Sequence, residues 1–222
     1  MKDFKIIEVK QSVFADNDKN AALLRNRLKE EKTFLLNLMS SPGSGKTTTL
    51  LALADLLKGK VKWGVMEADI DSAVDAETMV KAGVPSIQIH TGGMCHLDAD
   101  MTGQGLEEFG RKDLDLVILE NVGNLVCPAE FDTGAVKNMT ILSVPEGHDK
   151  PLKYPLMYET CHLLVVNKID VMEYFDFDKE KVIAYAKERN PDIDIIFISA
   201  KTGEGVSELA DWILDNVKKW RE

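Results

Sequence analysis

A short glycine-rich stretch, Ser40–Thr48 (SSPGSGKTT), constrains the fold of this chain more than any other feature. It follows the apolar run 33–39 directly and leads into residues 47–59, whose leucines recur at helical spacing. The stretch fits the pattern G-x-x-x-x-G-K-S/T, except that Ser40 stands in place of the first glycine. Between a strand and a helix, such a turn can point backbone N–H groups inward around a phosphate.

The residues of this turn have separate predicted roles. Gly43, Ser44 and Gly45 let the backbone fold around the phosphate, and the helix that begins near Lys46 adds its positive dipole end. Lys46 is predicted to reach the β- and γ-phosphates as a catalytic group, and the Thr47 hydroxyl is predicted to hold Mg²⁺. The predicted phosphate contacts are Gly43, Ser44, Gly45, Lys46, Thr47 and Thr48. The alternative is a glycine turn that merely joins a strand to a helix.

Short apolar runs alternate with longer amphipathic stretches from about residue 33 onwards. Several runs are almost continuously apolar, as strands buried on both faces must be. Alternating strands and helices predict a three-layer α/β domain over 33–222, with a mainly parallel seven-stranded sheet and helices on both faces. Residues 1–32 are predicted to form an extension with an amphipathic helix packed on that domain. The predicted strands are 33–39, 61–67, 86–90, 114–120, 138–144, 161–167 and 193–199.

The charge and the cysteine content of the chain limit which binding partners and which compartment we expect. The formal net charge is −10, which argues against nucleic-acid or membrane-surface binding, since both need a positive footprint. Three cysteines do not make a disulfide framework, and the first residues lack the apolar core of a signal peptide. We therefore predict a reducing, cytosolic compartment, in which cysteines are core residues, metal ligands or catalytic groups.

Two further strand ends predict which base is bound. The sixth run ends in N-K-x-D, where Asp170 is placed to accept two N–H bonds from guanine that adenine does not offer. The seventh run ends in I-S-A-K, which resembles the second guanine-binding loop of GTPases. Both loops together favour GTP. The predicted base contacts are Asn167, Lys168, Asp170, Ser199, Ala200 and Lys201.

Acidic residues follow the second and fourth predicted strands. Glu120 is predicted to meet Mg²⁺, and the Gly123 N–H is predicted to contact the γ-phosphate. Several carboxylates lie at the end of the second strand, and at least one of them is predicted to serve Mg²⁺ or the attacking water. Spacing alone does not decide which one does. Any one of them can instead cap a solvated helix. These carboxylates are Glu67, Asp69, Asp71 and Asp75, of which Asp69 is the magnesium candidate and Asp75 the catalytic candidate.

A thiol and an imidazole stand side by side in TGGMCH, at Cys95 and His96. Ligands of open parallel sheets gather at the carboxyl ends of strands, so this pair and Cys127 are predicted to share one rim beside the nucleotide. Two thiolates and an imidazole suit Zn²⁺ or Ni²⁺, and three ligands leave room for water or for a second subunit across a two-fold axis. Alternatively, these cysteines are small core hydrophobes, as we expect for Cys161.

Three motifs in this order resemble the HypB family: SSPGSGKTT, TGGMCHLDA and ENVGNLVCPA. Members of that family are GTPases that assist nickel insertion into nickel–iron hydrogenases. The resemblance covers nearly everything from residue 33 onwards, and it implies a homodimeric GTPase. It further implies a nickel or zinc site built from Cys95, His96 and Cys127 at the subunit interface. A small HypA-type nickel-binding protein and the hydrogenase large subunit are the implied partners.

The resemblance leaves rival functions open. Residues 1–32 contain neither the histidine-rich tract nor the cysteine-rich motif of some family members, so the rim site would carry the metal alone. A urease-type nickel GTPase typically has Cys-Pro-His where this chain has Cys-Pro-Ala, which favours the hydrogenase branch. A nucleotide-regulated interaction module with structural zinc is a further rival, and so is a cofactor-biosynthesis kinase on the same fold.

Slow turnover is predicted because no arginine is placed to stabilise the transition state. Arg111 lies just before a strand, at the opposite edge of the sheet. Lys153 is a candidate for a nucleotide-side contact. It lies in 144–155, where three prolines predict a long surface connection without regular helix.

Overall fold

A computed structural model describes residues 6–69, 74–110 and 113–222, without the side chains of 6–15, 69 and 74–76. Seven strands form one sheet in the order β3-β2-β4-β1-β5-β6-β7, and every neighbouring pair is parallel. This confirms the predicted parallel α/β fold. The strands are β1 Phe34–Ser40, β2 Trp63–Asp69, β3 Ser86–His90, β4 Leu116–Glu120, β5 Lys137–Ser143, β6 Leu163–Asn167 and β7 Asp194–Phe197.

Helices connect successive strands, as parallel pairing requires. Among the described residues, no helix is both long and apolar enough to cross a bilayer. The helices are α1 Ile6–Glu30, α2 Lys46–Leu57, α3 Val74–Lys81, α4 Ala99–Phe109, α5 Cys127–Glu130, α6 Lys150–Lys153, α7 Pro155–Thr160, α8 Lys179–Arg189 and α9 Val206–Arg221.

Both faces of the sheet are covered by helices. All seven residues of β1 are buried, and their side chains alternate between the two faces. Phe34, Leu36 and Leu38 pack into the cluster that contains leucines of α2 and α9. Leu35 packs on the opposite face, in the cluster that includes α1 and α4. The central strand is therefore buried on both sides, which is why its sequence is a continuous apolar run.

Helix α1 packs against α4 beside the sheet. Leu24 and Leu28 on α1 are buried in one cluster with Leu97, Val122 and Ala135 of the main domain. The sequence predicted an amphipathic helix within residues 1–32, and α1 extends from Ile6 to Glu30. The extension therefore contributes to the core of the domain.

The prediction of an irregular connection over 144–155 was wrong. Residues Val144–Glu146 form a 3-10 turn, and α6 and α7 follow in quick succession. A proline lies at the first or second position of each of these three elements. Proline is tolerated there because the first N–H groups of a helix have no intrahelical partner. The prolines therefore start short helices in this stretch.

Candidate functional site

A cavity of 580 Å³ opens where β1 turns into α2. The turn forms its floor, and the ends of β2 and β4 form its wall, because the register pairs Glu67 with Glu120. Five of the six predicted phosphate contacts line this cavity. The exception is Ser44, which is fully buried. The cavity is lined by Pro42, Gly43, Gly45, Lys46, Thr47, Thr48, Ala68, Glu120, Asn121, Val122, Gly123 and Lys168.

Gly45 is required by both the conformation and the packing of this turn. Its φ is +99°, in the left-handed region that favours glycine. A Cβ at this position would lie 2.5 Å from Asn167 Nδ2. That amide nitrogen donates to the Ser44 carbonyl at 3.0 Å, so Asn167, at the end of β6, holds the turn in place.

Replacing Gly45 with alanine should disrupt this turn more than the same change at Gly43. Both have positive φ, which costs alanine about 1–2 kcal/mol, but only Gly45 would drive a Cβ into a neighbouring side chain. We expect Gly45→Ala to weaken guanine-nucleotide binding strongly and Gly43→Ala to weaken it less. Titration with a fluorescent GDP derivative measures both, and equal losses would contradict this account.

Lys46 and Glu120 face each other across the cavity. Lys46 Nζ lies 3.8 Å from Glu120 Oε1, and their side chains are only 12% and 8% exposed. The Glu67 side chain is also buried, on the strand next to Glu120. A buried ammonium beside carboxylates can bind a phosphate, while the carboxylates and the Thr47 hydroxyl are hard oxygen ligands of the kind that Mg²⁺ prefers. The donor set therefore fits a magnesium–phosphate group.

Asn121, which the sequence analysis did not single out, fixes the backbone after β4. It is fully buried, and its Oδ1 accepts from the Val122 N–H at 2.9 Å. Its Nδ2 donates to Asn37 Oδ1 at 3.1 Å. Gly123 follows, and a Cβ there would contact Pro42 at 3.2 Å. The segment predicted to sense the γ-phosphate therefore lies against the phosphate loop.

A second cavity of 330 Å³ adjoins the first. Asn167 Oδ1 accepts from the N–H groups of Lys168 and Ala200, at 2.7 and 3.1 Å, and so joins the two predicted guanine loops. Ser199 Oγ donates to Asp170 Oδ1 at 2.7 Å, which orients that carboxylate. The cavity is lined by Gly45, Thr48, Asn167, Lys168, Asp170, Val171, Ala200 and Lys201.

Glu146 is another contributor that the sequence analysis missed. Its Oε2 accepts from the Ser143 N–H at 2.8 Å, and its Oε1 is hydrogen-bonded to the Ser41 hydroxyl at the start of the phosphate loop. It belongs to a capping box at the end of β5. A serine followed three residues later by glutamate is the sequence signal for such a box, so this feature was recognisable.

Cys95 and His96 lie in a loop between β3 and α4. Gly92 and Gly93 have positive φ, and nothing lies within 4 Å of a Cβ at either position, so backbone conformation alone requires glycine there. The buried Thr91 hydroxyl donates to the Met94 carbonyl at 2.7 Å and closes the turn. The thiol–imidazole pair therefore lies in a loop whose conformation depends on these glycines and on Thr91.

Cys127 begins the short helix α5, and its thiol is a neighbour of the Cys95 thiol. The pKa of the Cys95 thiol is raised, first by the neighbouring Cys127 thiol and second by burial. The Cys95 Sγ atom lies 3.9 Å from His96 Nδ1. A tetrahedral zinc site would hold such a sulfur and nitrogen about 3.6 Å apart. The spacing of this pair therefore fits a shared ion closely.

The three residues nevertheless do not form a complete ligand set within one chain. Among the described residues, no three His, Cys, Asp or Glu side chains are arranged to hold an ion. The His96 ring stacks on Phe131 with centroids 3.8 Å apart, which turns it flat against that residue. Burial lowers the pKa of His96, so the ring is neutral and able to coordinate at neutral pH.

Several residues predicted to belong to the site lie outside the two cavities or outside the described residues. The side chains of Asp69 and Asp75 and the whole of Asp71 and Arg111 lie outside the described residues. Lys153 Nζ pairs with Asp149 at 2.6 Å on the exposed surface of α6, and it lines neither cavity. Cys161, expected to be a core residue, is 1% exposed.

A phosphate loop between a parallel strand and a helix, beside a base pocket, defines a P-loop nucleotide-binding protein. Residues 34–197 match the model of the family described as "CobW/HypB/UreG, nucleotide-binding domain". The match spans most of the chain, so the chain belongs to the CobW/HypB/UreG family. The resemblance seen in the sequence is thereby confirmed.

Individual proteins that are similar to this chain are named HypB. A hydrogenase maturation factor HypB of Azotobacter chroococcum is 46% identical over 94% of this chain and 68% of its own length. The crystal structure of HypB from Helicobacter pylori in complex with nickel is 38% identical, with a TM-score of 0.87, over 92% of this chain and 96% of that one. HypB from Archaeoglobus fulgidus is 37% identical with a TM-score of 0.84, over 91% of this chain and 99% of that one.

Proposed function

We propose that this protein is a GTPase that binds nickel and couples the state of its nucleotide to nickel insertion during hydrogenase maturation. The observation that carries the proposal is the segment from Glu120 to Cys127. It begins in the nucleotide cavity and ends at Cys127, whose thiol raises the pKa of the neighbouring Cys95 thiol. The relatives named as hydrogenase maturation factors, one of them solved with nickel, support the same function.

The reaction is GTP plus water to GDP plus phosphate. The turn Gly43–Gly45 surrounds the phosphates with N–H groups, and Lys46 neutralises charge on the β- and γ-phosphates. Mg²⁺, held by Thr47 and Glu120 with Asp69 as the further candidate, would supply charge neutralisation at the phosphate oxygens. Asp75 remains the predicted group for positioning the attacking water. Slow turnover follows because the described cavity lining contains no arginine.

Guanine specificity follows from the smaller cavity. Asp170 is oriented by Ser199 on one oxygen, which leaves its other oxygen available to guanine N–H groups. The Ala200 N–H is already used by Asn167, so Ala200 and Lys201 contribute to the shape of the pocket. Lys168 Nζ donates to the Gly43 carbonyl at 2.7 Å, which lays its stem across the base pocket.

The nickel or zinc ligands are Cys95, His96 and Cys127, completed by a second copy of the chain. Thiolates and a neutral imidazole suit either ion. Two exposed apolar side chains, Met94 and Val126, directly precede the two cysteines in sequence and are 40% and 50% exposed. Apolar surface beside an incomplete ligand set favours a two-fold contact between copies, which would supply the missing ligands.

The nucleotide and the metal are coupled through the loop that follows β4. Gly123 lies against Pro42 of the phosphate loop, and Asn124 Oδ1 accepts from the Val126 N–H at 2.8 Å. Hydrolysis removes the phosphate that Gly123 contacts, so the loop can shift and move Cys127. Release then passes nickel to a HypA-type nickel-binding protein and to the hydrogenase large subunit, the partners that the resemblance implies.

Substituting the rim cysteines tests the metal site. We expect Cys95→Ser and Cys127→Ser each to lower nickel affinity more than about 100-fold, beyond the loss seen when only outer-shell partners are removed. Cys161→Ala is the matched control because that thiol is buried away from the rim. Competition with a chelating dye measures the affinities, and full nickel affinity in either rim variant would refute the site.

A further inference from the structure

One buried side chain of α1 bonds to both segments that carry the predicted metal ligands. Asn17 is only 8% exposed. Its Oδ1 accepts from the Ala99 N–H at 3.0 Å, and its Nδ2 donates to the Asp132 carbonyl at 3.0 Å. Ala99 begins α4 just after the Cys95–Asp98 segment, and Asp132 follows α5, which begins at Cys127. One amide thus joins the two loops.

The segment on the Cys95 side is held in place by a helix cap and by a buried side chain. Asp98 caps α4 by accepting from the Met101 N–H at 2.8 Å. Leu97 is fully buried, in the same cluster as Leu24 of α1. Because His96 lies directly before this buried residue, a shift of the Ala99 amide would carry the thiol–imidazole pair with it.

The segment on the Cys127 side is held as closely. Arg25 on α1 donates from Nη2 to both carboxylate oxygens of Asp132, at 2.7 and 2.8 Å, and from Nε to the Ala135 carbonyl at 2.9 Å. Leu24 packs so tightly on Gly134 that a Cβ there would lie 2.8 Å from its methyl group. The His96 ring stacks on Phe131, which directly precedes Asp132 in sequence.

None of the other polar contacts observed for the described side chains of α1 reaches both segments. Asn20 donates to the Asp100 carboxylate at 3.0 and 3.1 Å, and Arg27 donates to Glu107 at 3.1 Å. Both partners belong to α4. Within the part of α1 whose side chains are described, the amide of Asn17 is the group with hydrogen bonds to both loops. The amide oxygen of Asn17 accepts one of these hydrogen bonds, and its nitrogen donates the other.

We propose that Asn17 is a positioning residue that sets the separation between Cys95–His96 and Cys127. Its hydrogen bond to Ala99 is buried and its hydrogen bond to Asp132 is partly buried, so loss of the amide would leave a backbone group unsatisfied away from water. Displacement of α1 therefore loosens the metal site without any change in the ligands themselves. This inference rests on the proposed function, because it requires those three residues to bind nickel.

The test compares Asn17→Ala with Asn20→Ala, the same change on the same helix at a position that contacts α4 alone. The full-length protein in its GDP state is titrated with nickel, following the thiolate-to-nickel absorption band. We expect Asn17→Ala to lose roughly tenfold in nickel affinity, the lower end of the loss caused by removing groups that orient metal ligands. At saturating nickel its band should also differ from the wild-type band, which a merely less stable fold would not cause.

If Asn17→Ala does not fold, Arg25→Ala takes its place in the test. This change removes the ion pair with Asp132, and both side chains of that pair are partly exposed. It should lose affinity in the same direction and by a smaller factor. Wild-type affinity and an unchanged band in Asn17→Ala, or in Arg25→Ala if the former is unfolded, would overturn the inference alone. A wild-type protein with no thiolate band would overturn the proposed metal site and the inference with it.

Discussion

Replacing Lys46 with alanine should abolish GTP hydrolysis. The nearly buried ammonium lies 3.8 Å from Glu120 and lines the larger cavity, where we propose that it meets the β- and γ-phosphates. Removing one preorganised charge of this kind typically costs about 10²–10³-fold in rate, and an already slow enzyme then falls below detection. Single-turnover hydrolysis of radiolabelled GTP measures the effect.

Lys58→Ala is the control for that loss. It removes the same charge from the exposed end of the same helix, away from the cavity. Its hydrolysis rate should equal that of the wild type. Hydrolysis by Lys46→Ala within a factor of about ten of wild type, less than the expected 10²–10³-fold loss, would show that the phosphate loop does not act as described.

Changing Asp170 to asparagine should reverse the choice of base. The carboxylate can accept two guanine N–H bonds, and at about 1.5–3 kcal/mol for each bond to a charged group, their loss weakens GTP binding by about 10²–10⁴-fold. The asparagine keeps an oxygen for Ser199 but presents an N–H group, which matches the carbonyl of xanthine. Competition of GTP, ATP and xanthosine triphosphate against labelled GDP measures the preference.

The matched variant is Asp176→Asn, which makes the same change at an exposed position beyond the base pocket. It should keep the wild-type order of GTP over ATP. An Asp170→Asn protein that still binds GTP with wild-type affinity would place the guanine-recognising group elsewhere.

The sequence alone could predict the sheet and the nucleotide cavity because their signals are local. Strands buried on both faces read as apolar runs, and β1 shows why, with every residue buried. Glycine at residue 45 is likewise explained by its own φ and by one close neighbour. Asn167 and Asp170 could be placed because each stands at or just after the end of a recognisable strand.

What could not be predicted depends on contacts between residues far apart in sequence. Nothing near His96 signals that its ring will stack on Phe131, and nothing near Asn17 signals two hydrogen bonds to different loops. The prolines of 144–155 were misleading because their effect depends on whether they start a helix or interrupt one. Nor could spacing show how Cys95, His96 and Cys127 are arranged, since no three such side chains among the described residues are placed to hold an ion.

We propose that the bound nucleotide sets the affinity of this protein for nickel. Equilibrium dialysis with nickel, and in parallel with zinc, in GDP and in a non-hydrolysable GTP analogue tests it most directly. We predict that nickel binds more tightly with the GTP analogue, by at least about fivefold, the lower range of typical coupling between sites. Equal nickel affinities in the two nucleotide states would contradict the account and would leave a nucleotide-binding module with a structural metal.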